Sequence, residues 1–437
     1  MRMTEFSSSL LGEKYYKINH VSGLSVYVFP KKLTTTYTFF AVRYGSLDAS
    51  FEVRDDNKRV CAPDGMAHFL EHKMFENADG SDSFAHFAAL GADANAYTSY
   101  NRTAYLFSCT EHFDEALDEL LRFVMQPHFT EASVKKEQGI IAEEIRMYED
   151  NPWEQCLQKL LEAMYKSHPV RKNICGTLES IRKITPAVLD ECYRAFYTPT
   201  NMALVVCGDV TPDEVMAAVD RQLPQKEVPS RVERITEEDR CAVDKSYVCT
   251  RMQVSKPIFA IGIKDRHFVG SPVERLRREL AMTMLDEILF SRSEPFYNGL
   301  FERGVITPSF GAGYSCAENF AFHCISGESD TPEDVLQALK EYLQEVRQGG
   351  ISEEAFERCR RVMYADEVRA YDSTEEIASR LLSFAFEDVD MFSCLEILQS
   401  ITRKDLENLL ATAFDEDCFA LAVILPIEYQ EKRSDEN

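Results

Sequence analysis

At 437 residues the chain is too long for one ordinary core, so two domains are expected. Hydrophobic residues at 45% and charged residues at 28% exclude a disordered or fibrous chain. A formal net charge of -25 argues against nucleic acid and against an anionic membrane surface as partners; it is compatible with cationic peptides, but a solvated acidic surface that aids solubility is the simpler account.

The first ten residues, MRMTEFSSSL, carry one internal Arg and no apolar run long enough for a signal-peptide core. No stretch of about 18 consecutive apolar residues occurs, so no spanning helix is expected. The 13 cysteines are scattered singly, without Cys-x-x-Cys spacing, which reads as reduced core thiols. Together these features predict a cytoplasmic protein without membrane or nucleic-acid partners.

In chain order, Asp64 can cap a helix reaching about Asn77, closed by the turn Ala78-Asp79-Gly80. β-rich runs at 94–99 and 103–109 read as strands, as does 202–207. Between them, amphipathic helices are expected at about 114–125 and 131–148, with Asn151-Pro152 breaking the second. Residues 226–245 are charged and lack a sustained apolar period, so they read as a linker between a domain at 1–225 and another at 246–437. The two halves resemble each other weakly but in order. HFLEHKMF at 68–75 aligns with TMLDEILF at 283–290, and TEA at 130–132 with SEE at 352–354. EIRMYE at 144–149 then aligns with EVRAYD at 367–372, at a nearly constant offset. That pattern predicts a duplicated domain of α+β class, each copy a mainly antiparallel sheet packed with helices.

His68 and His72 stand one helical turn apart, so both imidazoles can reach a single cation at about 2.0–2.1 Å. Glu71, three residues after His68, projects to the same side, where a carboxylate can take a proton from water that zinc acidifies toward a pKa of about 7. Met66, Ala67, Phe69, Leu70, Met74 and Phe75 flank the motif, so the helix is expected to be largely buried. Buried imidazoles and a buried carboxylate need partners or a metal.

His-x-x-Glu-His followed by KKEQGIIAEEIRMYEDNP resembles the pitrilysin-type (M16) zinc metallopeptidases, and within them the short bacterial, processing-peptidase-like (M16B) members. The resemblance implies the metallohydrolase fold shared by LuxS and the processing peptidases, and a Zn2+ cofactor. It makes Glu144 the third ligand and Glu137, seven residues earlier, a supporting catalytic residue. That spacing is nearly two turns, so both share a face; Glu143 points about 100° away, and Glu149 is an alternative at the helix end. It also implies that Asn95, Ala96 and Tyr97 line an edge strand to which a peptide substrate adds by main-chain pairing.

The second half departs from the motif, with Thr283, Asp286 and Glu287 where the metal residues would stand. A further departure concerns an Arg and a Tyr by which the family polarises the scissile carbonyl. Phe301 and Thr307 occupy those places, with Arg303 and Tyr314 as nearby substitutes of different spacing. The expectation is a zinc metalloendopeptidase that forms the metal-bearing subunit of a heterodimer, its homologous partner supplying the Arg and Tyr. The rival expectations are maturation of one particular peptide product and a non-catalytic assembly subunit. Residues His20, His86, His112, His128, His168, His267 and His323 show no ligand spacing, and Gly311-Ala312-Gly313 is too short for a phosphate loop.

Overall fold

A computed structural model describes residues 2–54, 58–229, 232–235 and 238–428. The chain forms two compact units: Met1–Ile145 with Asn173–Thr236 and Tyr364–Glu396, and Arg146–Lys172 with Glu237–Met363 and Ile397–Asn437.

The first unit holds ten strands: β1 (Arg2–Ser8), β2 (Glu13–Asn19), β3 (Ser25–Pro30), β4 (Thr36–Val42), β5 (Ser50–Val53), β6 (Lys58–Cys61), β7 (Asp93–Thr98), β8 (Thr103–Cys109), β9 (Met202–Gly208) and β10 (Val232–Arg234). Seven of them form one sheet in the order β1-β2-β3-β9-β4-β8-β7, antiparallel except for the β3/β9 pair; β10-β5-β6 form a small second sheet. The second unit holds β11 (Tyr247–Met252), β12 (Ile258–Lys264), β13 (Gly311–Ala317), β14 (Phe320–Glu328) and β15 (Phe419–Pro426). Their order is β11-β15-β12-β14-β13, again antiparallel except for one pair, β11/β15. This order repeats β3-β9-β4-β8-β7 strand for strand, with the parallel pair in the same place. The duplication expected from weak sequence matches is therefore present as matching topology, and the α+β class holds. Each parallel pair contains a late strand, β9 or β15, whose run of apolar residues is buried along nearly its whole length, as a central strand requires.

Five helices of the first half matter for the site: α1 (Met66–Lys73), α2 (Ser83–Ala89), α3 (Phe113–Met125), α4 (Glu131–Asp150) and α5 (Pro152–Met164). Asn151 ends α4 and also caps α5, its Oδ1 accepting from Trp153 N at 3.0 Å, so Pro152 opens a helix at its first position. α5 then packs on β12 and β15 in the second unit. Gly262 of β12 permits that approach, since a Cβ there would stand 2.4 Å from Met164 Sδ. In the first unit, the helix Thr374–Glu387 covers β9, β4 and β3, adding Ile377, Leu381 and Leu382 to a core with Phe29, Phe39 and Val205.

The contiguous division at 226–245 thus differs from the compact units, each of which is assembled from both halves of the chain. Helices are placed by the sheet face that buries their apolar stripe, and sequence proximity does not decide that. The segment expected as a linker is also partly built into the units. Arg234 donates to Asp48 Oδ1 at 2.8 Å and to the Arg43 carbonyl in the first unit. Asp239 accepts from buried Lys264 at 2.6 Å in the second. Positions 230–231 and 236–237 of the segment lie outside the described residues.

Candidate active site

α1 is shorter than expected: it starts after Gly65 instead of at an Asp64 cap, and ends at Lys73. Gly65 takes a φ of 89° and carries no side-chain cap. The reason lies over a hundred residues away, where the loop before the helix Leu178–Ile181 crosses the start of α1 backbone to backbone. A Cβ on Gly65 would stand 2.5 Å from the Cys175 carbonyl oxygen, and one on Gly176 (φ 77°) 2.4 Å from that of Asp64. Only glycine fits both the conformation and the gap. Ser180 Oγ closes the crossing by donating to the Asp64 carbonyl at 2.8 Å. Phe69 and Leu70 are fully buried on the opposite side of the helix, each stabilising the fold by about 1.5–3 kcal/mol.

This anchorage turns His68, Glu71 and His72 to one side, with the two imidazole centroids 4.5 Å apart. α4 lies opposite, held by buried Val134, Ile141 and Ile145 and by Gln138 Nε2 donating to the Ile181 and Ile184 carbonyls. Glu144 Oε1 stands 3.5 Å from His68 Nε2 and Glu144 Oε2 3.5 Å from His72 Nε2. One ligand atom from each of the three residues lies within 4.8 Å of the others. Donors bound at about 2.0–2.1 Å to one tetrahedral ion stand about 3.4 Å apart, so the two imidazoles and the carboxylate fit zinc. Glu143 and Glu149 are exposed and take no part in this cluster. A second group, Asp415, Asp417 and Cys418, is largely exposed, and Arg266 already pairs with both carboxylates.

Glu137 lies behind the cluster, nearly buried, with Oε1 3.0 Å from His72 Nδ1. A carboxylate accepts there, so Nδ1 carries a proton and Nε2 is the ring nitrogen turned toward Glu144. Burial alone would discourage a charged His72. The hydrogen bond to Glu137 and the charges of Glu71, Glu137 and Glu144 nevertheless hold its pKa above the ordinary value. His68 Nδ1 is buried with no such partner among the described residues. Burial also raises the Glu71 carboxyl above its usual range, against the opposing pull of the Thr98 hydroxyl and the two imidazoles.

β7 is an edge of the large sheet, paired with β8 alone among the described strands. Asn95 is exposed there, its Oδ1 accepting from Ala96 N at 2.8 Å, and Tyr97 packs edge-on against Phe39. Among the described strands one edge of β7 is thus unpaired. Two further residues stand near the candidate ligands. Thr98 Oγ1 donates to Glu71 Oε2 at 2.6 Å, and Cys175 Sγ lies 3.9 Å from His68 Nε2. Strand alternation places Thr98 opposite in facing to Tyr97, a usable signal; nothing local marks Cys175.

In the second unit, Asp286 Oδ1 meets buried His323 Nδ1 at 2.7 Å. Phe301 is exposed and stacked on Tyr297, and Thr307 Oγ1 lies 3.1 Å from Glu328 Oε2. Arg303 Nε donates to the Gly299 carbonyl at 2.9 Å. The Tyr314 hydroxyl donates to Asp265 Oδ2 at 2.7 Å, so it is committed inside a buried ion pair with Arg278.

Residues 58–178 match the family model described as insulinase (peptidase family M16), and residues 183–363 match the model of the peptidase M16 inactive domain. The chain is 38% identical over 420 residues to a Bacillus subtilis protein named "uncharacterized zinc protease YmfH", covering 95% of this chain and 97% of that one. It superposes with a TM-score of 0.90 on a crystal structure described as an M16-like peptidase from Alicyclobacillus acidocaldarius, at 33% identity, covering 95% of this chain and 99% of that one. A Helicobacter pylori protease, 18% identical, shares the fold at a TM-score of 0.81 over 95% of this chain and 100% of its own. None of the described helices is long and apolar enough to cross a membrane. With two M16 models matched in order and near full-length similarity to such a relative, the chain belongs to peptidase family M16.

Proposed function

We propose that this chain is a zinc metalloendopeptidase that cleaves unfolded peptides or peptide precursors. The observation that carries the reading is the convergence of His68 Nε2, His72 Nε2 and a Glu144 carboxylate oxygen on one point, with Glu71 on the same helical face. When bound there, zinc would supply Lewis acidity toward water and toward a scissile carbonyl. The chain's own groups do the rest. Glu71 takes the proton from the attacking water and can pass it to the leaving amine, and its burial-raised pKa suits a group that must both accept and return a proton. Glu137 holds His72 in the tautomer that leaves Nε2 free. The free edge of β7 pairs with the peptide main chain through the Asn95–Tyr97 segment, giving affinity with little dependence on sequence.

The reading includes a homologous partner subunit that brings the Arg and Tyr this chain lacks at Phe301 and Thr307. Its support is that Tyr314, the tyrosine that follows this segment, already serves Asp265. We also propose a cytoplasmic location, supported by the 13 free cysteines.

The test is metal analysis of the purified chain together with hydrolysis of quenched fluorescent peptides, alone and mixed with a homologue carrying the Arg and Tyr. A peptidase keeps about one zinc per chain when Glu71 becomes Gln and loses turnover by roughly 10²–10⁴-fold. A chain that binds no zinc, and behaves the same with Glu71→Gln, is an assembly subunit and the proposal fails. Full activity of the chain alone, unchanged by the homologue, removes the heterodimer part.

A further inference from the structure

Of the two carboxylate oxygens of Glu71, Oε2 accepts the 2.6 Å hydrogen bond from Thr98 Oγ1, and Oε1 has no hydrogen-bond partner among the described residues. Thr98 is the last residue of β7, the edge strand, and sits directly across from Thr103 of β8. Thr103 is fully buried and donates its own hydroxyl to the Tyr44 carbonyl at 2.9 Å, with Thr98 Oγ1 3.3 Å away. Each hydroxyl has one proton to give, and Thr103's goes to Tyr44. Thr98 therefore stands against a fixed neighbour with its proton turned to Glu71. As a β-branched residue in a strand, it also has few rotamers open to it.

We propose that Thr98 is the positioning residue of Glu71: its hydroxyl fixes Oε2, so that Oε1 is the oxygen presented to the reacting water, in register with the strand that seats the peptide. The proposal rests on the peptidase reading above. One hydrogen bond then joins the strand that sets where a peptide lies to the group that takes the proton. A peptide pairing with β7 and a base tied to the end of β7 keep a constant relation, whatever the peptide's side chains. Misplacing a reacting group by about 1 Å costs on the order of 10²-fold in rate, which is the scale such a tie can protect.

The experiment compares Thr98→Val, which keeps shape and removes the donor, with Thr98→Ser, which keeps the donor. In the zinc-loaded protein with its partner subunit if one is required, Thr98→Val is expected to lower kcat about 10- to 100-fold, with KM, zinc content and thermal midpoint close to wild type. Thr98→Ser is expected to restore kcat to within about fivefold. Crystal structures of both variants give a readout that does not depend on turnover, and Glu71 should leave its side-chain position in Thr98→Val only. Wild-type kcat in Thr98→Val, a loss carried by KM, or equal impairment by Ser and Val overturns the proposal. An unmoved Glu71 in Thr98→Val overturns it even if no peptide is ever cleaved. A displaced Glu71 in a family member inert as wild type would mean instead that the peptidase reading failed while the positioning held.

Discussion

Glu137 makes no contact with the proposed metal position, yet its removal should be felt there. Its Oε1 accepts from His72 Nδ1 at 3.0 Å in a nearly buried setting, while His68 Nδ1 has no equivalent partner among the described residues. His72 is thus the imidazole whose ring orientation depends on one named acceptor. Truncation by Glu137→Ala removes the acceptor of this half-buried N–H and lets the ring turn. Losing such an outer partner lowers metal affinity 10- to 100-fold, which is about 1.4–2.7 kcal/mol. Glu137→Gln retains an acceptor oxygen and should lose about tenfold or less. Competitive titration with a chromophoric chelator measures the zinc Kd directly. The zinc-dependent rise in unfolding free energy gives an independent estimate, since it should shrink by the same 1.4–2.7 kcal/mol at fixed free zinc. A wild-type Kd in Glu137→Ala would refute the argument, and so would a Glu137→Gln variant weaker than Glu137→Ala.

Two further predictions concern the second unit. Gly262→Ala places a Cβ against Met164 Sδ and Leu160 Cδ1 and should cost about 1–3 kcal/mol by overpacking, read as a lower urea midpoint with unchanged slope. Asp265 is buried, and burial alone would raise its pKa. Hydrogen bonds from Arg278 and Tyr314, with the Arg278 charge, outweigh that and hold it below the ordinary value near 3.8. The stability this group contributes is therefore complete above pH 3.8 and lost as pH falls through its folded pKa. Asp265→Asn leaves the Arg278 charge uncompensated, so it should lose about 3–5 kcal/mol near neutrality, and the deficit should narrow in acid below pH 3.8; a pH-independent deficit would contradict the assignment.

The chemistry was legible in the primary sequence because it is written at short range. His68, Glu71 and His72 share a face through the 3.6-residue period alone, and Glu137 and Glu144 do so through a spacing of nearly two turns. Apolar neighbours announced that α1 would be buried. Its boundaries were not legible, because Gly65 replaces the expected Asp64 cap only where residues 175–176 cross above it. The break at Asn151-Pro152 was visible too, and its meaning was not: a helix stop and a new helix start use the same residues.

By itself, the sequence determined the residue types that can hold a metal and move a proton, their common helical faces, and the existence of two related halves. The tertiary structure decided which long helix faces α1, that Glu144 and neither Glu143 nor Glu149 completes the cluster, and that Thr98 reaches Glu71. It also decided that each compact unit takes a helix from the other half of the chain. The physical reason is the range of the forces involved. Periodicity acts over one or two turns, whereas the partner of a buried side chain is chosen by packing between segments far apart in the chain, over a hundred residues apart at the Gly65–Gly176 crossing.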